Sequence, residues 1–266
     1  MKTGNPVQLG DVKAVYGGPE FELWELLMGK QIHIGGAPST EALAEKAGVR
    51  GAEQGVDLCC CTGAGMWYLV QLCGVARMHG VDATESVVEL GRSRCRAGGM
   101  ADQISFSVGD ACQTGLATGA ADFAWGEDAW CYVVDKPALV AEAVRLVKSG
   151  GVIAFTDWVE GPAGLDDDEG SRLLRFMKFP NIQDLEGYVR LLEDNGCEVL
   201  VCEDTGQFTP HVDLYLTMLR SQLHFDALRI IGFNTQMLET IIGEMEFMQR
   251  LAAVGKLMQG RFVARN

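Results

Sequence analysis

Residues 55–65 read Gly55-Val56-Asp57-Leu58-Cys59-Cys60-Cys61-Thr62-Gly63-Ala64-Gly65, a short apolar strand that runs into a turn of small residues. Apolar residues with helical spacing follow, beginning at Met66 and Trp67. The order strand, tight turn, helix is typical of the ligand-binding edge of a doubly wound α/β sheet. Small side chains let a ligand approach the backbone, and the first amides of a helix are free donors. The stretch alone is equally compatible with a tight turn that binds nothing.

The rest of the chain alternates short apolar strands with helices, which indicates a largely parallel sheet. We predict a Rossmann-like, doubly wound mixed α/β sheet with helices on both faces and a helical lid. The second predicted strand ends at Val81. The strands predicted after it span 104–108, 121–125, 152–156, 198–202 and 260–264. The predicted helices include 86–95, 137–147, 170–177 and 182–193, and a long helical region covers 212–255.

Four segments organise the predicted domain. Residues 1–54 form an N-terminal helical arm and lid segment, with a short extended piece at 31–36, and residues 55–160 form the ligand-binding core. Residues 161–180 form a lid insertion, and residues 181–266 complete the core and carry a helical cap.

Composition narrows the class of protein. The chain has 266 residues, 48% of them hydrophobic, and a net charge of −14, which suits a globular domain and argues against nucleic-acid binding. No apolar run approaches the ~20 residues of a membrane span, and residues 1–6 lack the apolar core of a signal peptide. We therefore expect a cytoplasmic monomer or homodimer with a small-molecule substrate, without a membrane or nucleic-acid partner.

Nine cysteines do not predict a disulfide framework in a chain of this length. The run Cys59-Cys60-Cys61 suggests a metal site at first sight, but adjacent residues of an extended segment point to opposite faces. No second cysteine pair has zinc spacing, and no histidine is near in sequence. We expect no metal site and interpret the cysteines as packing residues.

Acidic residues follow each predicted strand of the core. Ligands in such sheets bind beyond the carboxyl ends of the strands, so these residues are candidate ligand contacts. Asp82, with Ala83 after it, is placed to bind a ribose, and Asp110 with Ala111 is placed to bind a base. The remaining acidic positions are Asp57, Glu127-Asp128 and Asp157.

Several of these segments together resemble the ordered motifs of class I S-adenosylmethionine-dependent methyltransferases. They are 57–63, Val81-Asp82, 108–110, 122–128 and 146–151. The resemblance is closest to small-molecule amine methyltransferases of the sarcosine/dimethylglycine and phosphoethanolamine type, whose Ile-His-Ile/Val-Gly segment is similar to residues 31–35. It implies S-adenosylmethionine as cofactor and S-adenosylhomocysteine as product. The cofactor-binding residues it implies are Ile34, Gly35, Asp57, Cys59, Cys61, Gly63, Asp82, Ala83, Asp110, Ala111 and Glu127.

Two departures from the family pattern affect the prediction. Cys59 and Cys61 stand at the first two glycines of the nucleotide loop, so we expect a wider turn or negative φ there. Tyr132 stands where phosphoethanolamine enzymes tend to carry a histidine, and basic residues are scarce at the strand ends. The tyrosine at this position and the scarcity of basic residues both disfavour phosphoethanolamine as the acceptor.

Methyl transfer from a sulfonium is an in-line displacement, and an amine acceptor must first lose a proton. The candidate catalytic residues are Asp128, Tyr132 and His33. The candidate substrate-binding residues, chiefly an aromatic wall for a methylated cation, are Trp125, Trp130, Trp158 and His211. Each of these residues also has a purely structural interpretation, as a core or surface side chain.

Other functions remain open at this point. Tyr132 and Lys136 match the Tyr-x-x-x-Lys spacing of nicotinamide-dependent reductases, although Pro137 disfavours helical backbone at Lys136. A non-catalytic S-adenosylmethionine-binding protein is the alternative of another class. Among methyltransferases, nitrogen is the favoured acceptor atom and a sulfur or oxygen acceptor is the alternative.

Overall fold

The computed structural model describes residues 2–3 and 7–266. In that part of the chain one mixed sheet contains β1 (Lys2–Thr3), β2 (Gln54–Leu58), β3 (Arg77–Asp82), β4 (Ile104–Val108), β5 (Ala121–Glu127), β6 (Val147–Glu160), β7 (Asn181–Asp184), β8 (Glu198–Asp204) and β9 (Leu257–Arg265). The helices are α1 (Leu9–Tyr16), α2 (Pro19–Met28), α3 (Gly36–Ala47), α4 (Ala64–Cys73), α5 (Glu85–Ala97), α6 (Lys136–Leu146), α7 (Asp167–Met177), α8 (Leu185–Asp194), α9 (Phe208–Arg220), α10 (His224–Ile230) and α11 (Thr235–Ala253).

Five parallel strands form the centre of the sheet in the order β4-β3-β2-β5-β6. Strand β9 pairs antiparallel with β6, and β8 pairs antiparallel with β9. Strand β7 pairs with the last residues of β6, and β1 pairs with β7. The predicted doubly wound mixed sheet is confirmed. The strand order reverses between β2 and β5, and ligands of such sheets bind at this switch point.

Buried apolar clusters cover both faces of the sheet. On one face α3, α4 and α5 pack against the strands, and on the other α6 and α8 do so. Leu43 of α3 and Leu139 of α6 are fully buried. Removing a side chain of this size from water stabilises the fold by roughly 1.5–3 kcal/mol. The two clusters fix the sheet edge that carries the acidic residues.

A third buried cluster joins α2, α7, α9, α10 and α11 to the end of β6. These helices come from all three stretches that we interpreted as lid segments. Trp158, on β6, belongs to this cluster and links the lid to the sheet. Within residues 2–3 and 7–266, none of the helices combines the length and the apolar composition that crossing a bilayer requires.

Some predicted elements differ from those in the structure. Residues 31–35, predicted as extended, form bends and a turn that lead into α3. The predicted helix 182–193 begins only at Leu185, because residues 181–184 form β7. The helical region 212–255 divides into α9, α10 and α11. Strand β6 is longer than predicted, since it starts at Val147 and continues into the lid as far as Glu160.

Candidate active site

The turn after β2 has left-handed backbone at three positions. The φ angle is +65° at Cys59, +49° at Cys61 and +76° at Gly63. The expected negative φ at the cysteines is wrong, because both adopt a glycine-like backbone. The amides of Cys59 and Cys60 donate to the carbonyl of Val81 at 2.8 and 3.2 Å, which holds the turn against β3. Left-handed backbone costs about 1–2 kcal/mol per non-glycine residue.

Asp82, at the end of β3, braces this turn. Its carboxylate accepts the amide of Cys61 at 2.9 Å on one oxygen and the amide of Thr84 at 2.8 Å on the other. Each oxygen retains lone-pair capacity, so the carboxylate can still accept from a diol. Burial raises the pKa of Asp82, and the two amide donors oppose that rise. Burial also raises the pKa of Asp57 well above its ordinary value, and the Glu127 carboxylate adds to the rise.

A cavity of about 360 Å³, here called the front cavity, lies beyond the carboxyl ends of β2, β3 and β5. It brings together most of the residues predicted to bind the cofactor: Asp57, Cys59, Cys61, Asp82, Ala83, Asp110, Ala111 and Glu127. Three others do not line it. The amide of Ile34 donates to Asp128, Gly35 precedes α3, and Gly63 packs towards Met66.

The front cavity is strongly acidic. Its lining contains the carboxylates Asp57, Asp82, Asp110, Glu127, Asp128 and Asp135. Among the described lining residues, Lys30 is the only lysine or arginine. Such a lining favours a ligand that carries positive charge.

Glu127, at the end of β5, lies beside His33. Its Oε1 is 3.4 Å from Nε2 of His33, and both side chains are nearly inaccessible to solvent. Nε2 of His33 also lies 3.2 Å from Oγ1 of Thr40, and Nδ1 lies 3.3 Å from the carbonyl oxygen of Ile34. Helix α4 lies close to Glu127, since a Cβ added at Gly65 would clash with Oε2 of that residue. The carboxylate and the imidazole are therefore held in fixed positions.

Asp128 is buried and has left-handed backbone with a φ of +51°. Oδ2 accepts the Ile34 amide at 2.8 Å, and Nε2 of Gln259 lies 2.9 Å from both carboxylate oxygens. A carboxylate has about four lone-pair sites, so Oδ1 retains capacity for one further donor. Burial raises the pKa of Asp128, while His33 and the hydrogen-bond donors oppose the rise.

A second cavity of about 40 Å³, here called the back cavity, lies on the lid side. Five residues line both cavities: Tyr16, Ile32, His33, Asp128 and Tyr132. The three predicted catalytic residues are among these five. The structure thus brings His33, Asp128 and Tyr132 together at the boundary between the two cavities.

Tyr132 belongs to the loop between β5 and α6 and packs against the buried cluster of lid helices. Its ring makes edge contacts with Tyr16, at 5.5 Å between centroids, and with Phe179, at 4.9 Å. Burial raises the pKa of Tyr132 and of Tyr16. Both phenols therefore remain protonated at neutral pH and can donate hydrogen bonds.

The predicted substrate-binding residues do not all lie together. Trp158 lines the back cavity and makes an edge contact with Phe208 at 4.7 Å. Trp125 is fully buried in the core, and Trp130 stacks on Phe155 at 3.9 Å. His211 lies on α9, where its Nδ1 is 2.8 Å from the carbonyl of Gln207. Trp125, Trp130 and His211 line neither cavity, so the aromatic wall predicted from sequence reduces to Trp158.

A buried network that the sequence did not indicate holds the loop after β5. Nζ of the fully buried Lys136 donates to Oδ1 of Asn181 at 2.6 Å and to the carbonyl of Val133 at 2.9 Å. Asp157 accepts the Cys131 amide at 3.0 Å and the hydroxyl of Tyr188. Lys136 is thus a structural anchor for the loop, which explains its Tyr-x-x-x-Lys spacing without a reductase.

Sequence patterns missed other residues of the site as well. Tyr16 lines both cavities and Lys30 lines the front cavity; both belong to the N-terminal arm, where no motif in the sequence pointed to these two residues. Gln259 gave no signal, because its partner Asp128 is 131 positions away in the chain. Among the described residues, no group of three or more His, Cys, Asp or Glu side chains is arranged to hold a metal ion.

Comparison with known proteins identifies the domain. Residues 56–155 match a family described as a methyltransferase domain. Phosphoethanolamine N-methyltransferase 1 of Triticum aestivum is 26% identical over 66% of this chain and 35% of its own length. Methyltransferase GfsG of Streptomyces halstedii is 27% identical over 65% of this chain and 63% of its own length. The chain thus spans less than two thirds of the length of these curated relatives.

Solved structures share the fold. A structure assigned as a sarcosine dimethylglycine methyltransferase from Galdieria sulphuraria superposes with a TM-score of 0.80 at 21% identity, covering 93% of this chain and 97% of that one. Phosphoethanolamine N-methyltransferase 2 of Haemonchus contortus, in complex with phosphomonomethylethanolamine and S-adenosylhomocysteine, gives 0.82 at 17% identity, covering 96% and 58%.

Residues 56–155 therefore form a methyltransferase domain, and the chain shares the fold of S-adenosylmethionine-dependent methyltransferases. The methyl donor of this class is S-adenosylmethionine, as the sequence resemblance implied.

Proposed function

We propose that the protein transfers a methyl group from S-adenosylmethionine to the nitrogen of a small amine. The observation that carries the proposal is the boundary between the two cavities, which His33, Asp128 and Tyr132 line from both sides. Reacting groups held on either side of such a boundary need little further alignment, and alignment supplies much of the acceleration in a displacement reaction.

The front cavity fits the cofactor. Its volume of about 360 Å³ lies in the range of ligand sites of this kind. Asp82 has free lone pairs for the ribose diol, and Asp110 and Ala111 line the part of the cavity that suits a base. Lys30 offers a positive charge for the carboxylate of the methionine portion. When bound, S-adenosylmethionine supplies the electrophilic methyl group.

The acidic lining favours an amine over a neutral acceptor. An amine arrives mainly as an ammonium ion, and the carboxylates around the front cavity attract that charge. The free lone pair on Oδ1 of Asp128 can take an N–H proton, and burial raises the pKa of Asp128, which makes it a stronger base. Tyr132, protonated at neutral pH, orients the acceptor by donating its hydroxyl. His33 is the alternative proton acceptor.

The test is methyl transfer from isotope-labelled S-adenosylmethionine across a panel of amines, thiols and alcohols. Sarcosine and dimethylglycine, suggested by the sequence resemblance, belong to the amine set. We expect labelled product with at least one amine and none with the thiols or alcohols. Binding of S-adenosylhomocysteine without transfer to any acceptor would indicate a non-catalytic binding protein and refute the proposal.

The double variant Asp128→Asn, Tyr132→Phe tests the proton-transfer step. We expect its kcat at neutral pH to fall by about 10²–10⁴-fold, the usual contribution of a positioned acid or base. Circular dichroism and S-adenosylhomocysteine binding must first establish that the variant folds. A correctly folded variant with an undiminished rate would exclude deprotonation by these residues.

A further inference from the structure

We propose that the back cavity selects an amine whose substituents are apolar and carry neither a carboxylate nor a phosphate. The inference rests on the proposed amine methyltransferase function and narrows its substrate class. It concerns residues that line the back cavity and do not line the front cavity: Trp24, Met28, Trp158, Met177, Met245 and Met248.

The residues that line the back cavity provide little charge to bind an anion. Among the described residues that line it, none is a lysine or an arginine, and the only carboxylate is Asp128. Lys30 lines the front cavity but not the back one. A carboxylate or phosphate placed in the back cavity would be buried without a lysine or arginine partner and would lie near the Asp128 carboxylate. Both conditions are strongly unfavourable for an anion.

The shape and chemistry of the lining carry the second step. Trp24, Trp158 and Tyr215 line the back cavity, and aromatic rings attract a methylated ammonium group that lies over their faces. Methionine side chains adapt their shape and are polarisable, so they suit small apolar substituents. The volume of about 40 Å³ corresponds to about three water-sized groups, which is room for a short alkyl group and not for a long chain.

The phosphoethanolamine relatives provide a contrast. Their name states an acceptor that carries a phosphate, whereas the described residues that line the back cavity of this chain include no lysine or arginine to pair with such a group. We therefore expect acceptor choice to differ from theirs.

The decisive comparison uses two acceptors of nearly the same shape. In N,N-dimethylisobutylamine, an isopropyl group replaces the carboxylate of dimethylglycine. We expect kcat/KM for the isobutyl compound to exceed that for dimethylglycine by at least about tenfold, with phosphoethanolamine also poor. The reason is that only these anions would be buried without a lysine or arginine partner. Equal or greater kcat/KM for dimethylglycine or phosphoethanolamine would overturn the inference while leaving the amine methyltransferase function standing. No transfer to any amine would instead refute the proposed function.

Introduction of a positive charge into the back cavity tests the same point from the protein side. Met177 is the last residue of α7, where a cation is compatible with the helix dipole. We expect Met177→Lys to raise kcat/KM for dimethylglycine relative to that for the isobutyl compound by about tenfold. Met177→Leu should keep the wild-type preference between these two acceptors. Binding of S-adenosylhomocysteine reports whether both variants fold. A folded Met177→Lys variant with an unchanged ratio would contradict charge as the basis of selection.

Discussion

At the residue scale, Cys59 and Cys61 combine a side chain with a backbone conformation that favours glycine. Their φ angles of +65° and +49° lie in the left-handed region. Cys60, between them, is not among the residues with positive φ, and its sulfur lies close to Gly80. Substitution by glycine is therefore expected to affect the free energy of unfolding differently among the three adjacent cysteines.

We predict that Cys61→Gly raises the free energy of unfolding by about 0.5–1 kcal/mol, because relief of left-handed strain exceeds the added chain entropy of glycine. Cys60→Gly, the matched control, should lower it by about 1–2 kcal/mol because it leaves a cavity beside Gly80. Urea unfolding of the ligand-free proteins measures both. Destabilisation of equal size in the two variants would show that the backbone of Cys61 carries no strain.

Sequence patterns located the acidic residues of the site because each one follows a strand, and strand ends meet at one edge of a parallel sheet. The same patterns could not locate Gln259 or Lys136. Their hydrogen bonds join residues far apart in the chain, and Lys136 reads as an ordinary surface lysine until the structure shows it fully buried. Trp125 and Trp130 were misplaced because an aromatic residue near a site has the same sequence signature as one in the core.

At the scale of elements, the contact between α4 and β5 depends on Gly65. A Cβ at this position would clash with Oε2 of Glu127, whose other oxygen lies beside His33. Gly243 is also helical, in α11, but a Cβ added there has no atom within 4 Å. The two glycines thus separate the effect of helix propensity from the effect of close packing.

We predict that Gly65→Ala weakens binding of S-adenosylhomocysteine by about tenfold, because it displaces Glu127 from the front cavity. Gly243→Ala should leave binding unchanged and raise the free energy of unfolding by about 0.5–1 kcal/mol, as alanine favours a helix interior. Calorimetric titration and urea unfolding provide the two measurements. Unchanged affinity in Gly65→Ala would exclude a role of the Glu127 position in cofactor binding.

Elements with local signals were predictable and those defined by distant pairing were not. The core strands are apolar runs bounded by turns, so their positions followed from the sequence. Strand β7 contains Ile182 among polar residues, and its pairing with β1 and β6 creates the strand. Ile32 and Ile34 have β-forming side chains, but the contacts of Ile34 with Asp128 and of His33 with Thr40 hold this segment in a turn.

At the scale of the whole molecule, Asp157 connects the sheet to both the loop after β5 and α8. Burial raises its pKa from 3.8 to about 6, although Lys136, Tyr188 and the Cys131 amide oppose the rise. The Asp128 carboxylate adds to it. The folded protein thus binds this proton more tightly than the unfolded chain does.

The sign of the pH dependence follows from linkage. Because the folded pKa is raised, this group makes the free energy of unfolding decrease as pH rises from about 4 to about 6. We predict that Asp157→Asn lacks this decrease. As pH rises across that range, the free energy of unfolding of the variant should therefore increase relative to that of the wild type. Tyr188→Phe removes a donor to the carboxylate and should move the transition to higher pH. Parallel stability curves for wild type and Asp157→Asn would contradict the raised pKa.

Some residues line both cavities, whereas others line only the back cavity, and substitutions in the two groups have different consequences. Tyr16, Ile32, His33, Asp128 and Tyr132 line both cavities, so in the proposed function a replacement among them affects both the donor and the acceptor. Met177, Val212, Met245 and Met248 reach only the smaller chamber. In the proposed function, acceptor preference can therefore change through substitution of a few lid side chains, while the residues around the sulfonium donor stay the same.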